Sequence, residues 1–292
     1  MTARELIGDG YRALFLAEVD TPYLDTVVLL AHAAGLSKEK LLASLPEEID
    51  AAAEERFRAS LDRRAAGTPV SYIRRAKEFY GLEFYVDERV LVPRPDTETL
   101  VERVLAVARS DPGIRRVHDA CTGSGCVGIT LQKVAPHLAV SASDISPQAA
   151  EVFRINCQRI LGRLLPFMAS DLLEGLPAGS FDLIAANPPY LSNGEVDNLA
   201  RMGWPEPEIS LRGGERGTEL AARLIRGAGS RLRAGGWLVI EAAPDQFTRL
   251  HALMDQAGFR GIEVDRDLAG RERVISGSFL PAACCSEEGA RA

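Results

Sequence analysis

The sequence predicts an α/β fold: a mostly parallel sheet covered by helices, preceded by a small helical N-terminal domain and joined to it by a β-hairpin linker. Three observations predict this. Residues 1–75 carry helical spacing of apolar positions with no strand signal, residues 76–95 turn aromatic and β-branched, and residues 96–280 alternate apolar strand runs with helical stretches. A chain of 292 residues accommodates about two domains of ordinary size.

In the first region, Thr21-Pro22 places an N-cap type before a proline at the first helical position. Leu24, Val27, Val28, Ala31 and Ala34 then recur at helical spacing, and Gly35 is the expected stop. Glu47–Ala66 reads as a charged amphipathic helix with Phe57 and Leu61 on its apolar stripe. Nothing here looks catalytic, and a packing or partner-binding role is expected. Residues 77–93 read as a short hairpin with Gly81 and Asp87 as turn signals, and Pro93 and Pro95 stiffen the chain around Arg94. Strands are expected at Arg116–Ala120, Ala139–Ser143, Leu165–Met168, Asp182–Ala186, Trp237–Ala242, Gly261–Asp265 and Arg273–Ser278, with helices between most of them. Residues 281–292 are small and polar, and a disordered tail is expected.

Composition narrows the function classes. Hydrophobic residues are 46% and charged residues 26%, ordinary for a globular protein, and the net charge of −7 lacks a broad basic footprint for nucleic acid. The five cysteines form no Cys-x-x-Cys pair and the four histidines are scattered, so no metal is expected. The opening MTARELIGDG has no apolar signal segment, and no run of about 18 apolar residues occurs. The expectation is a cytoplasmic protein, monomeric, with no membrane or direct nucleic-acid partner.

Two constellations carry chemistry. Asp119-Ala120-Cys121-Thr122-Gly123-Ser124-Gly125 follows a strand and opens a helix, where glycines allow tight turns and close backbone approach to a ligand. It lacks the Gly-x-Gly-x-x-Gly spacing of dinucleotide sites. Asp144 ends the next strand, placed to accept hydrogen bonds from ribose hydroxyls or, alternatively, to cap the helix near Pro147. Asp171-Leu172 ends a third strand, where a side chain can meet an adenine amino group. Together they suit one nucleoside. The second constellation, Asn187-Pro188-Pro189-Tyr190, ends an apolar strand. Proline restricts the residue before it, so Asn187 is held extended. Its carboxamide oxygen and the Pro188 carbonyl offer two acceptors for one planar NH₂ group, and Tyr190 offers a flat face. That suits methyl transfer to an amide or amino nitrogen, by positioning and by stabilising charge that develops there.

With these residues in view, the chain resembles the protein-(glutamine-N5) methyltransferases of HemK/PrmC type. Asp119–Gly125 is similar to the first S-adenosylmethionine loop of class I methyltransferases, and Asn187–Tyr190 to the (N/D)PPY motif of amino-nitrogen methyltransferases. Leu91-Val92-Pro93-Arg94-Pro95-Asp96-Thr97-Glu98 is similar to the family's (I/V)PRPDTE stretch. Glu206-Pro207, Leu211, Gly213-Gly214, Gly217, Gly235-Gly236, Glu241, Gln246, Arg271 and Arg273 also fit. The resemblance covers the chain to about residue 280. It implies a Rossmann-like, seven-stranded class I methyltransferase domain over 96–280, an N-terminal domain that recognises substrate, and a hairpin linker over 76–95. It implies S-adenosylmethionine as donor, S-adenosylhomocysteine as product, and the Gln of the Gly-Gly-Gln loop in peptide-chain release factors as acceptor, modulating translation termination. Asn187, Pro188 and Tyr190 are then the expected catalytic residues. Asp119, Cys121, Thr122, Gly123, Ser124, Gly125, Asp144, Asp171, Leu172 and Asn187 would bind cofactor. Asn187, Pro188, Pro189, Tyr190, Arg94 and Glu206 would bind substrate. For Arg94 and Glu98 a hinge lock is the competing role, and for Glu206 a structural salt bridge.

Two positions depart from the pattern: Cys121 stands where Gly is usual, and Leu172 where some relatives carry an aromatic. Both leave cofactor affinity open. Residues 79–91 also resemble the sister family that methylates a large-subunit ribosomal protein. Two further readings are N6-adenine methylation of nucleic acid after base flipping, and a non-catalytic nucleoside-sensing module. The acidic balance argues against the former, and an intact amide clamp against the latter.

Overall fold

The computed structural model describes residues 1–280; the expected tail at 281–292, with Cys284 and Cys285, lies outside the described residues. The chain divides into two compact units: Met1–Lys77 with Val86–Glu88 and Arg201–Pro205, and the remainder.

Thr2 starts the first unit. Its hydroxyl accepts from the Glu5 amide while the Glu5 carboxylate accepts from the Thr2 amide, a reciprocal cap on α1 (Ala3–Leu16). There follow α2 (Pro22–Ala34), closed by left-handed Gly35, then α3 (Lys38–Ala43), α4 (Ala51–Ala65) and α5 (Val70–Arg74). Their shared core includes Leu6, Leu14, Leu29, Leu30, Phe57 and Leu61. Three expectations shift. The helix expected from Glu47 starts at Ala51, because the Asp50 carboxylate takes the Ala53 amide and fixes the end. Thr21 stands at the N-cap position but makes no capping bond; its hydroxyl donates instead to Asp25. Leu24 is 52% exposed. The buried face of α2 runs through Asp25, Val27, Leu29 and Leu30, with Asp25 neutralised by Arg64 at 2.7 Å.

The hairpin pairs β1 (Lys77–Phe79) with β2 (Leu82–Phe84). Tyr80 and Gly81 both have positive φ, which gives a two-residue turn the twist that hairpins favour. The hairpin is thus shorter than residues 77–93, and Asp87 makes no hairpin turn. The Tyr80 amide donates to the Glu98 carboxylate at 2.8 Å, so Glu98 clips the turn to the start of α6 (Glu98–Ser110).

The second unit then alternates as expected. β3 (Arg116–Ala120) leads to α7 (Cys126–Val134), β4 (Ala139–Asp144) to α8 (Pro147–Asn156), and β5 (Phe167–Ala169) to β6 (Phe181–Ala186). Short β7 (Leu191–Ser192) and β8 (Arg212–Gly214) pair with each other around α9 (Asn193–Arg201). α10 (Glu219–Arg231), β9 (Leu232–Glu241), α11 (Phe247–Gln256), β10 (Phe259–Arg266) and β11 (Glu272–Phe279) complete the chain. The seven strands lie in the order β10-β11-β9-β6-β3-β4-β5, with β11 antiparallel to both its neighbours and the other pairs parallel. Every residue of β6 is buried, as a central parallel strand requires. From β3 the chain winds outward to β4 and β5, and then returns on the other side through β6 and β9. Strand order reverses between β3 and β6, which is where such sheets open a ligand crevice at the strands' carboxyl ends. Among the described residues, no helix is long and apolar enough to cross a membrane.

Candidate active site

A cavity of about 510 Å³ opens at that reversal. The loop after β3 forms its floor. Asp119, 1% exposed, accepts from the Thr122 hydroxyl at 2.5 Å and the Gly128 amide at 2.9 Å. Burial pushes its carboxyl up to about 7 against those two bonds. Gly125 has φ +85°, and a Cβ there would stand 2.6–2.7 Å from Ile129 and Phe153, so only glycine lets α7 begin so close to the core.

Asp144 closes β4. Its carboxylate accepts from the Gly123 amide at 2.8 Å and the Ser146 amide at 2.9 Å, tying two loops together. The cap of α8 is Ser146, whose hydroxyl accepts from the Ala149 amide, so the capping role weighed for Asp144 falls to its neighbour. Burial raises the Asp144 pKa in spite of these amides. Asp171 also reaches the cavity, but its carboxylate is held by Arg223 at 2.8 Å, a partner 52 residues along the chain that no local pattern indicates. Leu172 is buried with φ +55°, and Cys121 has φ +58°.

Asn187 follows β6 on the opposite side of the reversal. Its carboxamide nitrogen donates to the hydroxyl of buried Thr97 at 3.3 Å. The next residues are fixed from behind: Gln246 donates to the Tyr190 carbonyl at 2.8 Å, and the Leu191 amide donates to the Leu211 carbonyl at 3.0 Å. Gly217, at φ +74°, lies against the same carbonyl; a Cβ there would stand 2.2 Å from it.

Of the residues expected in the site, the cavity brings together Asp119, Cys121, Thr122, Gly123 and Ser124 from one loop, then Asp144, Asp171 and Leu172 from two strand ends. Asn187, Pro189 and Arg94 join them from the other side. Gly125, Pro188, Tyr190 and Glu206 are not on its wall. Tyr190 is largely enclosed, and burial pushes its hydroxyl up to about 12. Glu206 is 5% exposed; its two oxygens accept from the Val92 amide at 3.0 Å and from Arg94 at 2.5 Å. Of the two roles weighed for Glu206, the salt bridge is the one formed: the carboxylate faces the chain around Arg94.

Sequence reasoning overlooked two residues. Thr97 carried no signal beyond its place in a motif. Glu241, an acid ending an apolar strand as Asp144 does, could have been flagged by the same rule. It is 1% exposed, and burial pushes its carboxyl up to about 7.

Comparison with known proteins supplies the family. Residues 5–74 match the family described as the PrmC N-terminal domain, and residues 97–202 match the methyltransferase small domain. A release factor glutamine methyltransferase of Moorella thermoacetica is 38% identical over 94% of this chain and 98% of its own length. One of Bordetella pertussis is 39% identical over 91% and 97%. Among solved structures, a methyltransferase from Pyrococcus furiosus superposes with a TM-score of 0.52 at 16% identity, covering 76% of this chain and 98% of that one, which supports the fold alone. Matched along nearly its whole length at such identity, with a nucleoside-sized crevice flanked by an Asn-Pro-Pro-Tyr segment, the chain belongs to the release factor glutamine methyltransferase family.

Proposed function

We propose that the protein methylates the side-chain amide nitrogen of the glutamine in the Gly-Gly-Gln loop of peptide-chain release factors, with S-adenosylmethionine as donor. The observation that carries this reading is the placement of Asn187 on the wall of the same cavity that the Asp119–Gly125 loop and Asp144 line. The cavity fits the donor chemically. Asp144 presents a carboxylate for ribose hydroxyls, Asp171 an acceptor beside the adenine position, and Leu172 an apolar wall. Bound S-adenosylmethionine supplies an electrophilic methyl group and leaves as S-adenosylhomocysteine.

The chain's own work is positioning. An amide nitrogen is a poor nucleophile, because its lone pair is shared with the carbonyl. The Asn187 Nδ2 is already committed to Thr97, which leaves Oδ1 as acceptor toward the cavity. Asn187 Oδ1, on the cavity wall, accepts one N–H group of the substrate amide; the Pro188 carbonyl as second acceptor and Tyr190 as packing face lie behind that wall, so substrate entry must bring them into contact. Both acceptors stabilise positive charge as it develops on nitrogen. The nitrogen then loses a proton to water, and no side chain is assigned as a base. Arg94, 40% exposed on its side chain and braced by Glu206, stands at the rim where the substrate loop enters.

The test is incubation with labelled S-adenosylmethionine and a purified release factor, followed by mass spectrometry of the Gly-Gly-Gln peptide. A gain of one methyl on the glutamine supports the reading. Label on a large-subunit ribosomal protein or on nucleic acid alone overturns it.

A further inference from the structure

Glu241 is the last residue of β9, whose neighbour Ile240 pairs with Ala186 of β6. The next step along each strand brings Glu241 beside Asn187, on the same face of the sheet. Thr97, 2% exposed, meets them from the turn before α6. Among the described residues, neither carboxylate oxygen of Glu241 finds a partner at full hydrogen-bond geometry, yet both are buried. The Thr97 hydroxyl and the Asn187 carboxamide lie close enough to favour its ionised form. A buried carboxylate left so costs heavily, and evolution has many smaller apolar residues to offer at a strand end.

The direction of the hydrogen bonds explains what it does there. A carboxylate only accepts, an ammonium or guanidinium only donates, and a hydroxyl donates once while also accepting. Thr97 accepts from Asn187 Nδ2, so its own hydrogen is free to go to Glu241. The chain of donors then runs one way, from Asn187 through Thr97 to Glu241. It holds only when the carboxamide turns its nitrogen inward and its oxygen to the cavity. The two ends of a carboxamide are nearly equal in shape, so packing alone does not choose between them. A flipped Asn187 would set its carbonyl against the Thr97 oxygen and the carboxylate, and would present N–H groups to an incoming NH₂.

We infer that Glu241 and Thr97 are positioning residues that fix which end of the Asn187 carboxamide faces the substrate. This rests on the amide-methylation reading above. The charged and titratable groups around Glu241 are Arg273 of β11, Asp96 beside Thr97, Tyr190 after β6 and Cys126 at the start of α7. Arg273 is itself engaged by Asp96 at 2.9 Å and Asp267 at 3.1 Å.

The test compares the full-length enzyme with Glu241→Gln, Thr97→Val and Thr97→Ser. Glu241→Gln and Thr97→Val are expected to lower kcat on a release factor by roughly 10–100-fold, since a misaimed acceptor acts like a small misplacement of substrate. Cofactor Kd by calorimetry should stay within about twofold, and Thr97→Ser should restore most of the rate by keeping the hydroxyl. At saturating substrates, wild-type kcat should fall as pH drops below about 7, where Glu241 takes up a proton, becomes a donor as well as an acceptor, and no longer forces the relay to run one way. Glu241→Gln should lack that limb. If Glu241→Gln fails to fold, Thr97→Val decides. Wild-type kcat and an unchanged pH profile in the variants overturn the inference, as does a loss of cofactor affinity equal to the loss of rate. A separate readout is the Asn187 side-chain NH₂ resonances: bonded shifts that vanish in Thr97→Val support the relay, and shifts unaltered by that change overturn it. Should wild-type enzyme leave release factors unmethylated, the functional reading fails while these resonances still decide the relay.

Discussion

Gly217→Ala should separate rate from binding. Gly217 has φ +74°, and the added Cβ would stand 2.2 Å from the Tyr190 carbonyl oxygen, 3.0 Å from the Tyr190 carbonyl carbon and 2.8 Å from the Gln246 amide nitrogen. Real Cβ contacts do not come under 3.0 Å, so the backbone of the Asn-Pro-Pro-Tyr segment must retreat by ~0.8 Å. The left-handed conformation adds about 1–2 kcal/mol for a residue with a Cβ. The Gln246–Tyr190 hydrogen bond is pushed apart as well, at about 1 kcal/mol. Together these amount to about 2–3 kcal/mol, or a Tm lower by roughly 4–12 °C for a domain of this size. The effect on catalysis is larger than the effect on stability. A shift of about 1 Å in a positioning group costs on the order of 100-fold in rate. The cofactor loop after β3 does not touch Gly217, so cofactor Kd should hold. Single-turnover methyl transfer to a purified release factor, with calorimetry for the cofactor, reads both quantities. A kcat within threefold of wild type would refute the claim that this segment aims the substrate.

Three further outcomes are expected. Asn187→Ala should lower kcat by roughly 100–1,000-fold, the scale for removing one preorganised polar contact in a transition state, with calorimetric cofactor Kd little changed. Asp144→Ala should raise cofactor Kd by roughly 10–100-fold, because hydrogen bonds to a charged group contribute about 1.5–3 kcal/mol; an unaltered Kd removes Asp144 from the ribose role. Asp182 titrates at about 2: burial opposes ionisation, but Arg116 and the amides of Arg116 and Arg115 outweigh it. Its folded pKa lies below the ordinary 3.8, so its contribution is complete above that pH and is lost as pH falls through about 2. Allowing for the half-exposed Arg116, about 1–2 kcal/mol is involved. Thermal melts between pH 6 and 2 should therefore steepen less on acidification for Asp182→Asn than for wild type.

How much of this was legible in the sequence follows from how local each feature is. Segments between Arg116 and Ser278 announced the seven strands, most plainly β6, which is buried at every residue and so apolar along its length, whereas edge strands β5 and β10 are largely exposed. Their ends were less clear. β9 begins at Leu232, five residues before the expected Trp237, since Gly235-Gly236 reads as a break although the strand runs through it. Leu24 fitted the helical spacing of α2 and yet faces solvent, because periodicity does not say which of two neighbouring stripes meets the core. That the loop after β3, Asp144 and Asn187 line one cavity was foreshadowed because each candidate motif is a few consecutive residues at a strand end. For Glu206 the sequence left two roles open, because its partners, Val92 and Arg94, stand 114 and 112 positions away. Arg223 and Asp171 lie 52 apart, and Thr97 and Asn187 lie 90 apart, so only the fold brings each pair together.

The two departures from the family pattern then take on a physical meaning. Cys121 and Leu172 end neighbouring parts of the crevice, and both sit at positive φ, 58° and 55°. A left-handed backbone favours glycine, and a side chain there costs about 1–2 kcal/mol. What offsets the cost lies below the loop. Leu172 is 7% exposed within the cluster that holds Ile184, Leu224, Leu238 and Phe247, and Cys121 packs against that same cluster. Burying a leucine side chain contributes about 1.5–3 kcal/mol, enough to hold Leu172 in its strained conformation, and a thiol acts as a smaller hydrophobe of the same kind. Each side chain thus anchors its strand tip to the core while its backbone faces the cavity. Behind Asn187 the support is of the opposite kind: Gly217 presses on the Tyr190 carbonyl, a backbone contact with no room for a side chain.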